Sequence, residues 1–285
     1  MTGGADELTL VLVLAAALMH ASWNAVAKAS GDPLVNIAVI TVTGGVIALP
    51  FMAWFPWPSE ETWRWLLLSG VIHFLYQLNL ARMYRLGDLS QVYPIARGLA
   101  PLGVAAMGAL FVGERLAWNQ VLGLVLSAAA IVVLGRSGGV GGERARGVGT
   151  ALFVAVLIGL YTYSDGRGVR SVENPLLYIA WTCFMSSLPF GLYTAVVRRD
   201  TVVDSLRRGG ARAVAGGVLA TVGYGIALWA MARTPLALVA SLREASVLFA
   251  ALIGAFVLRE SFGRIRILAS AVLVVGLVLV QLASG

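Results

Sequence analysis

The sequence predicts an all-α polytopic membrane protein, with ten transmembrane helices arranged as two inverted five-helix repeats. Three observations predict this fold. The chain is 59% hydrophobic and only 12% charged, about half the charged fraction of a soluble domain. Apolar runs near the roughly 20 residues that a helix needs to cross a bilayer follow one another along its length. The same pattern also appears twice. Arg97 precedes Glu114 by seventeen residues, and Arg243 precedes Glu260 by the same interval. At that offset of 146, Ala105, Gly108, Ala109 and Leu122 fall on Ala251, Gly254, Ala255 and Leu268. Self-similarity in an apolar chain marks a membrane protein built from two structural halves.

The spans are read in order as 8–29, 34–55, 62–86, 89–113, 117–135, 148–167, 175–197, 211–233, 236–258 and 263–282. The first follows the acidic Asp6 and Glu7 and is too long for a cleavable signal peptide. Turn chemistry separates the spans at Gly31-Asp32-Pro33, Pro56-Trp57-Pro58, Gly87-Asp88, Asn174-Pro175 and Thr234-Pro235. The longest breaks are the Gly/Arg stretch 136–147 and the basic segment 198–210. The first divides the chain into a repeat over 1–135, a connecting loop over 136–147 and a second repeat over 148–285. Residues Gly135-Arg136-Ser137-Gly138-Gly139 match the nucleophile elbow of hydrolases, but without the strand and helix that the elbow requires. Five spans per repeat turn the second repeat upside down relative to the first.

Composition also excludes several classes. One cysteine, Cys183, leaves no intramolecular disulfide framework and no multi-cysteine metal site. The net charge of +7 sits on arginines in short loops, without an aromatic-interleaved basic stripe. Anionic lipid headgroups fit it better than nucleic acid. An even span count places both termini on one side. That side carries 5 loop Lys/Arg residues and the opposite side 14, which puts the termini outside the cytoplasm.

The polar residues within the spans are the candidate site. His20, Trp23 and Asn24 stand at i, i+3 and i+4 and share a helix face. Tyr161, Ser164 and Asp165 repeat that spacing in the sixth span, and His73, Tyr76 and Gln77 repeat it in the third. The eighth span has Leu219, Val222 and Gly223 at the matching positions, with Tyr224 one step on. Asn24 and Ser164 could instead bond neighbouring helices, and Asp165 could lie at the membrane surface. Arg97 and Arg243 each fall about eight residues into a span, roughly 6 Å from its midpoint. An arginine there costs about 2.5–3.5 kcal/mol unless it faces water or a partner. Snorkelling, or an ion pair such as Arg97 with Glu244, would answer that cost. So would an anion-attracting cavity, for which the guanidinium fork is suited. Glu114 and Glu260 close the fourth and ninth spans, either as solvated charges tied to Arg115 or Arg264 or as a gate. Pro94 and Pro101 remove amide donors from the fourth span.

At His20-Ala-Ser-Trp-Asn24, and from Tyr93-Pro94-Ile-Ala-Arg97-Gly-Leu-Ala-Pro101 down to Gly113-Glu114, the chain resembles the EamA-like transporters of the drug/metabolite transporter superfamily. Both halves carry the resemblance. Val247 stands where Pro101 has its counterpart, and Arg259 replaces the glycine before the second glutamate. The resemblance implies a secondary transporter with a central cavity, moving amino acids, other small metabolites or drugs, often outward. It also implies termini in the cytoplasm, against the loop charges.

The expected function is movement of a small amino-acid-like, anionic or zwitterionic metabolite by alternating access, as an exporter in a bacterial cytoplasmic (inner) membrane. The expected substrate site comprises His20, Trp23, Asn24, Tyr76, Gln77, Arg97, Tyr161, Tyr224 and Arg243. His73, Asp165 and Glu244 are the candidates for proton coupling or gating. A proton or counter-solute is a possible partner, and no cofactor or metal is expected. A membrane enzyme acting on lipid-linked substrates would need a compact acidic or histidine cluster near an interface, whereas the acids here are scattered. A scaffold would have little reason to bury arginine and histidine.

Overall fold

The computed structural model describes residues 7–29, 31–107, 117–137, 142–233, 239, 242–260 and 263–282. Among these there are ten α-helices and no strands. They are α1 (Glu7–Ala29), α2 (Pro33–Trp54), α3 (Glu60–Leu86), α4 (Leu89–Met107) and α5 (Trp118–Arg136). The second set is α6 (Gly142–Gly168), α7 (Pro175–Val197), α8 (Arg199–Arg233), α9 (Ala245–Leu252) and α10 (Gly263–Leu282). Six of the described helices are long and apolar enough to cross a membrane.

The turn residues act as their chemistry requires. Asp32 accepts from the Leu34 amide at 2.9 Å, and Pro33 fills the first helical position of α2. Asn174 and Pro175 use the same device at the start of α7, with Asn174 accepting from the Leu176 amide at 3.0 Å. Ser59 caps α3 through the Thr62 amide.

Three expectations are corrected. The segment 198–210 is not a break, because α8 begins at Arg199 and runs for 35 residues. Its charges, including Asp204 and Arg208 one turn apart, suit an exposed helix face. At about 1.5 Å per residue α8 is roughly 52 Å long, well beyond the roughly 30 Å hydrocarbon core. The connecting loop over 136–147 is also shorter than expected, since α6 starts at Gly142. The ninth span is discontinuous. Leu242 and Arg243 are helical, Glu244 forms a turn, and α9 follows. From α9 the chain passes into a π-helical stretch, Ile253–Val257, and ends with Arg259 in the left-handed region at φ 53°.

The first five helices interleave with the last five. Helix α2 packs on α7 and α8, α3 on α6 and α7, and α1 on α8 and α9. Helix α4 packs on α6 and α9, and α5 on α10. Close approach of α8 to α2 depends on Gly217, where a Cβ would stand 2.7 Å from the Ile40 carbonyl oxygen. The outward faces are apolar at helical spacing, as with the exposed Leu152, Val156 and Leu160 of α6. The interior is largely apolar too, but it also buries polar residues, Asn24, His73, Gln77, Arg97 and Asp165 among them. Large apolar side chains facing outward while charged and polar ones are buried is the arrangement expected in a bilayer.

Candidate functional site

A cavity of about 100 Å³ lies between α1, α2, α3, α6, α7 and α8. Seven of the residues singled out from the sequence line it: His20, Trp23, His73, Tyr76, Gln77, Tyr161 and Tyr224. The rings form a continuous aromatic wall. His73 stacks on Tyr161 at 4.6 Å, Tyr76 meets Tyr161 edge-on at 5.1 Å, and Tyr224 meets His73 edge-on at 5.8 Å. Opposite them stand hydroxyls that the sequence reading missed, on Thr41, Thr182, Ser186 and Thr221, together with Cys183. Thr41, Ser186 and Thr221 bond carbonyls of their own helices, so nothing local in the sequence marks them as cavity residues.

Behind the wall lies Asp165, whose side chain is fully buried. His73 Nε2 is 3.0 Å from its Oδ2, and the Tyr178 hydroxyl donates to its Oδ1 at 2.9 Å. The Tyr224 hydroxyl also donates to Oδ2. One carboxylate thus joins α6 to α3, α7 and α8. Paired with a ring nitrogen and bonded by two hydroxyls, it has the partners that a buried charge needs.

The remaining candidates are placed differently. Asn24 does not line the cavity. Its amide donates to the His20 carbonyl at 2.7 Å and its oxygen accepts from the Tyr84 hydroxyl, so it ties α1 to α3. Arg97 and Arg243 also lie outside the lining. Arg97 pairs with Glu244 at 2.8 Å, with both side chains 5% exposed. That pair joins α4 to the break before α9, and the Tyr93 hydroxyl reinforces it by bonding Ser246 at 2.9 Å. Arg97 Nε and Glu244 Oε2 are left without a protein partner. Arg243 stands 5.8 Å from the ring centroid of Tyr224, behind the cavity wall.

Glu260 is not a solvated helix-end charge. It accepts from the Leu89 and Ser90 amides at 2.7 and 2.8 Å, capping α4, and its side chain is 7% exposed. The approach is close at Gly254, where a Cβ would meet Glu260 Oε2 at 2.6 Å. The nearby cation is Arg266 at 3.8 Å rather than Arg264. Arg266, one of the 14 basic residues counted on the side opposite the termini, has a fully buried side chain and bonds Asp88 and Ser90 at 2.9 and 2.8 Å. Glu114 lies outside the described residues.

An apolar exterior, helices long enough to cross a bilayer and an aromatic cavity carrying a few polar groups define a helical membrane protein with a cavity between its helices. The chain matches the model of the EamA-like transporter family over residues 7–136 and 145–282, and it belongs to that family. A Sinorhizobium protein described as "Uncharacterized transporter in cobO 3'region" is 38% identical over 80 residues. That match spans 27% of this chain and 56% of the relative, so the chain covers little more than half of it. A solved structure described only as "Crystal structure of protein" superposes with a TM-score of 0.63 at 18% identity. It covers 99% of this chain and 100% of the other, and it speaks for the fold alone.

Proposed function

We propose that the protein is a secondary transporter that moves a small anionic or zwitterionic, amino-acid-like metabolite by alternating access, as an exporter. The observation that carries this reading is the aromatic and polar cavity enclosed by helices from both ends of the chain. Membership of a transporter family supports it and argues against an enzyme. Two inverted five-helix repeats agree with the two matched stretches and with the interleaved packing. The contacts of α1 with α8 and α9 mirror those of α6 with α3 and α4. The break at Glu244 supports a moving element, since discontinuous helices are where transporters of this kind bind and bend.

In this reading Trp23, Tyr76, Tyr161 and Tyr224 contact solute directly. Arg243 and Arg97 supply positive potential from behind them, and Asn24 holds the wall in place. Asp165 with His73, and Glu244 with Arg97, join moving helices and are the groups that exchange a proton or release a contact as the cavity opens. The test is flux into liposomes of purified protein, using a panel of radiolabelled amino acids and small carboxylates. Arg243→Ala should reduce flux severalfold, because it removes positive potential from behind the wall rather than a direct contact with solute, while the protein stays folded. Undiminished flux in a folded Arg243→Ala protein would remove the arginine from the mechanism, and no flux of any probe in the native protein would remove the mechanism itself.

A further inference from the structure

Among the described residues, three buried polar atoms of cavity-lining side chains have no partner: His20 Nε2, Gln77 Oε1 and the Thr182 hydroxyl. The chemical character of the first follows from its neighbour. An indole nitrogen can only donate a hydrogen bond, and Trp23 Nε1 lies 3.2 Å from His20 Nδ1. Nδ1 is therefore the bare, accepting nitrogen. The neutral ring then carries its hydrogen on Nε2. Trp23 also holds the ring edge-on at 5.2 Å, so the orientation is set as well as the tautomer. His20 thus brings an unanswered N–H donor into the cavity wall. Leaving such a donor unmet is costly, so it is a site for an acceptor that arrives from outside.

Charge decides which acceptor. Arg243 stands 5.8 Å from the ring centroid of Tyr224, which lines the same cavity as His20. Glu244 offsets Arg97, whereas no carboxylate among the described residues pairs with Arg243. The other nearby anion, Asp165, is fully buried behind the wall and bonded by His73, Tyr178 and Tyr224. A guanidinium beside the wall, with no ion-paired carboxylate among the described residues, favours an oxygen bearing negative charge. Gln77 is only 4% exposed, and its amide offers both donor and acceptor capacity to a second polar group.

We propose that His20 Nε2–H and the Gln77 amide form a two-point subsite for a small solute bearing a carboxylate. A carboxylate oxygen accepts from Nε2–H, Gln77 meets the neighbouring amino or hydroxyl group, and Tyr76 and Tyr161 cover the apolar remainder. The subsite rests on the transport reading of this cavity and names what that cavity recognises.

The chain contains two histidines, so selective nitrogen-15 labelling yields two imidazole spectra, assigned by their loss in His20→Gln or in His73→Gln. In lipid nanodiscs near neutral pH, His20 should be neutral with its hydrogen on Nε2. L-Alanine or propionate should move that resonance saturably, and ethylamine, which lacks the carboxylate, should not. Trp23→Phe frees Nδ1 and should weaken binding by roughly tenfold, the value of one charge-assisted hydrogen bond. A hydrogen on Nδ1, a response to ethylamine alone, or no response to any of the three overturns the proposal. Flux is read separately. Solute movement that leaves His20 undisturbed overturns the subsite and spares the transport reading, and a His20 response without flux does the reverse.

Discussion

Glu244 is a carboxylate buried inside a membrane protein and ion-paired with the guanidinium of Arg97, and the physics of that pair is asymmetric. Losing both charges costs little, whereas losing one strands the other in low dielectric. Arg97→Ala should therefore destabilise the protein by about 3–5 kcal/mol. The double change Arg97→Met with Glu244→Leu should recover most of that loss in thermal unfolding in detergent. A single variant as stable as the double would mean that the pair is not held as described. The sequence made the possibility of this pair visible, because both residues are charged and both fall in apolar spans. The i, i+3, i+4 spacing likewise made His20, His73 and Tyr161 visible as members of polar helix faces. What it did not reveal depends on distant partners. Asn24 resembles a cavity residue until Tyr84 takes its oxygen, 60 positions away. Arg266 resembles a loop charge until Asp88 takes its guanidinium, 178 positions away. No local pattern encodes either contact.

Among the elements, the turn between α1 and α2 carries the clearest pH dependence. Burial alone would raise the pKa of Asp32. Hydrogen bonds from Arg85, the Leu34 amide and Arg198 outweigh it and hold the carboxyl below its ordinary value of 3.8. A depressed value in the folded state adds stability above the ordinary pKa, and that stability is lost as pH falls through the lowered one. Arg198 lies 2.7 Å from Asp32 and Arg85 also bonds it, so this single charge joins α2 to the ends of α3 and α7. The native protein should exceed Asp32→Asn in melting temperature at pH 7, and the gap should close below about pH 4. A gap of equal size at pH 7 and pH 3 would mean that the charge contributes nothing. Most helix boundaries were readable because Asp32, Ser59 and Asn174 cap where caps belong. The start of α8 was not, because an amphipathic basic helix and a basic loop have the same composition over 198–210. The break at Glu244 was hidden for a related reason: no glycine or proline stands beside it, and the glycine of this span, Gly254, lies ten residues further on.

For the molecule as a whole, the loop charges and the family resemblance differ on orientation. The charge count predicts that a carboxy-terminal reporter active only in the cytoplasm stays silent, and a bright signal would reverse the assignment. The interleaved packing predicts little about orientation but much about assembly. The first amides of α4 are capped by a side chain 171 and 170 positions downstream. While the ribosome is still making the second part of the chain, those amides have no protein acceptor. The amino-terminal bundle must wait in the bilayer in an unfinished form until residue 260 is inserted. A chain truncated before that residue should therefore be recognised and degraded rather than accumulate as a stable half.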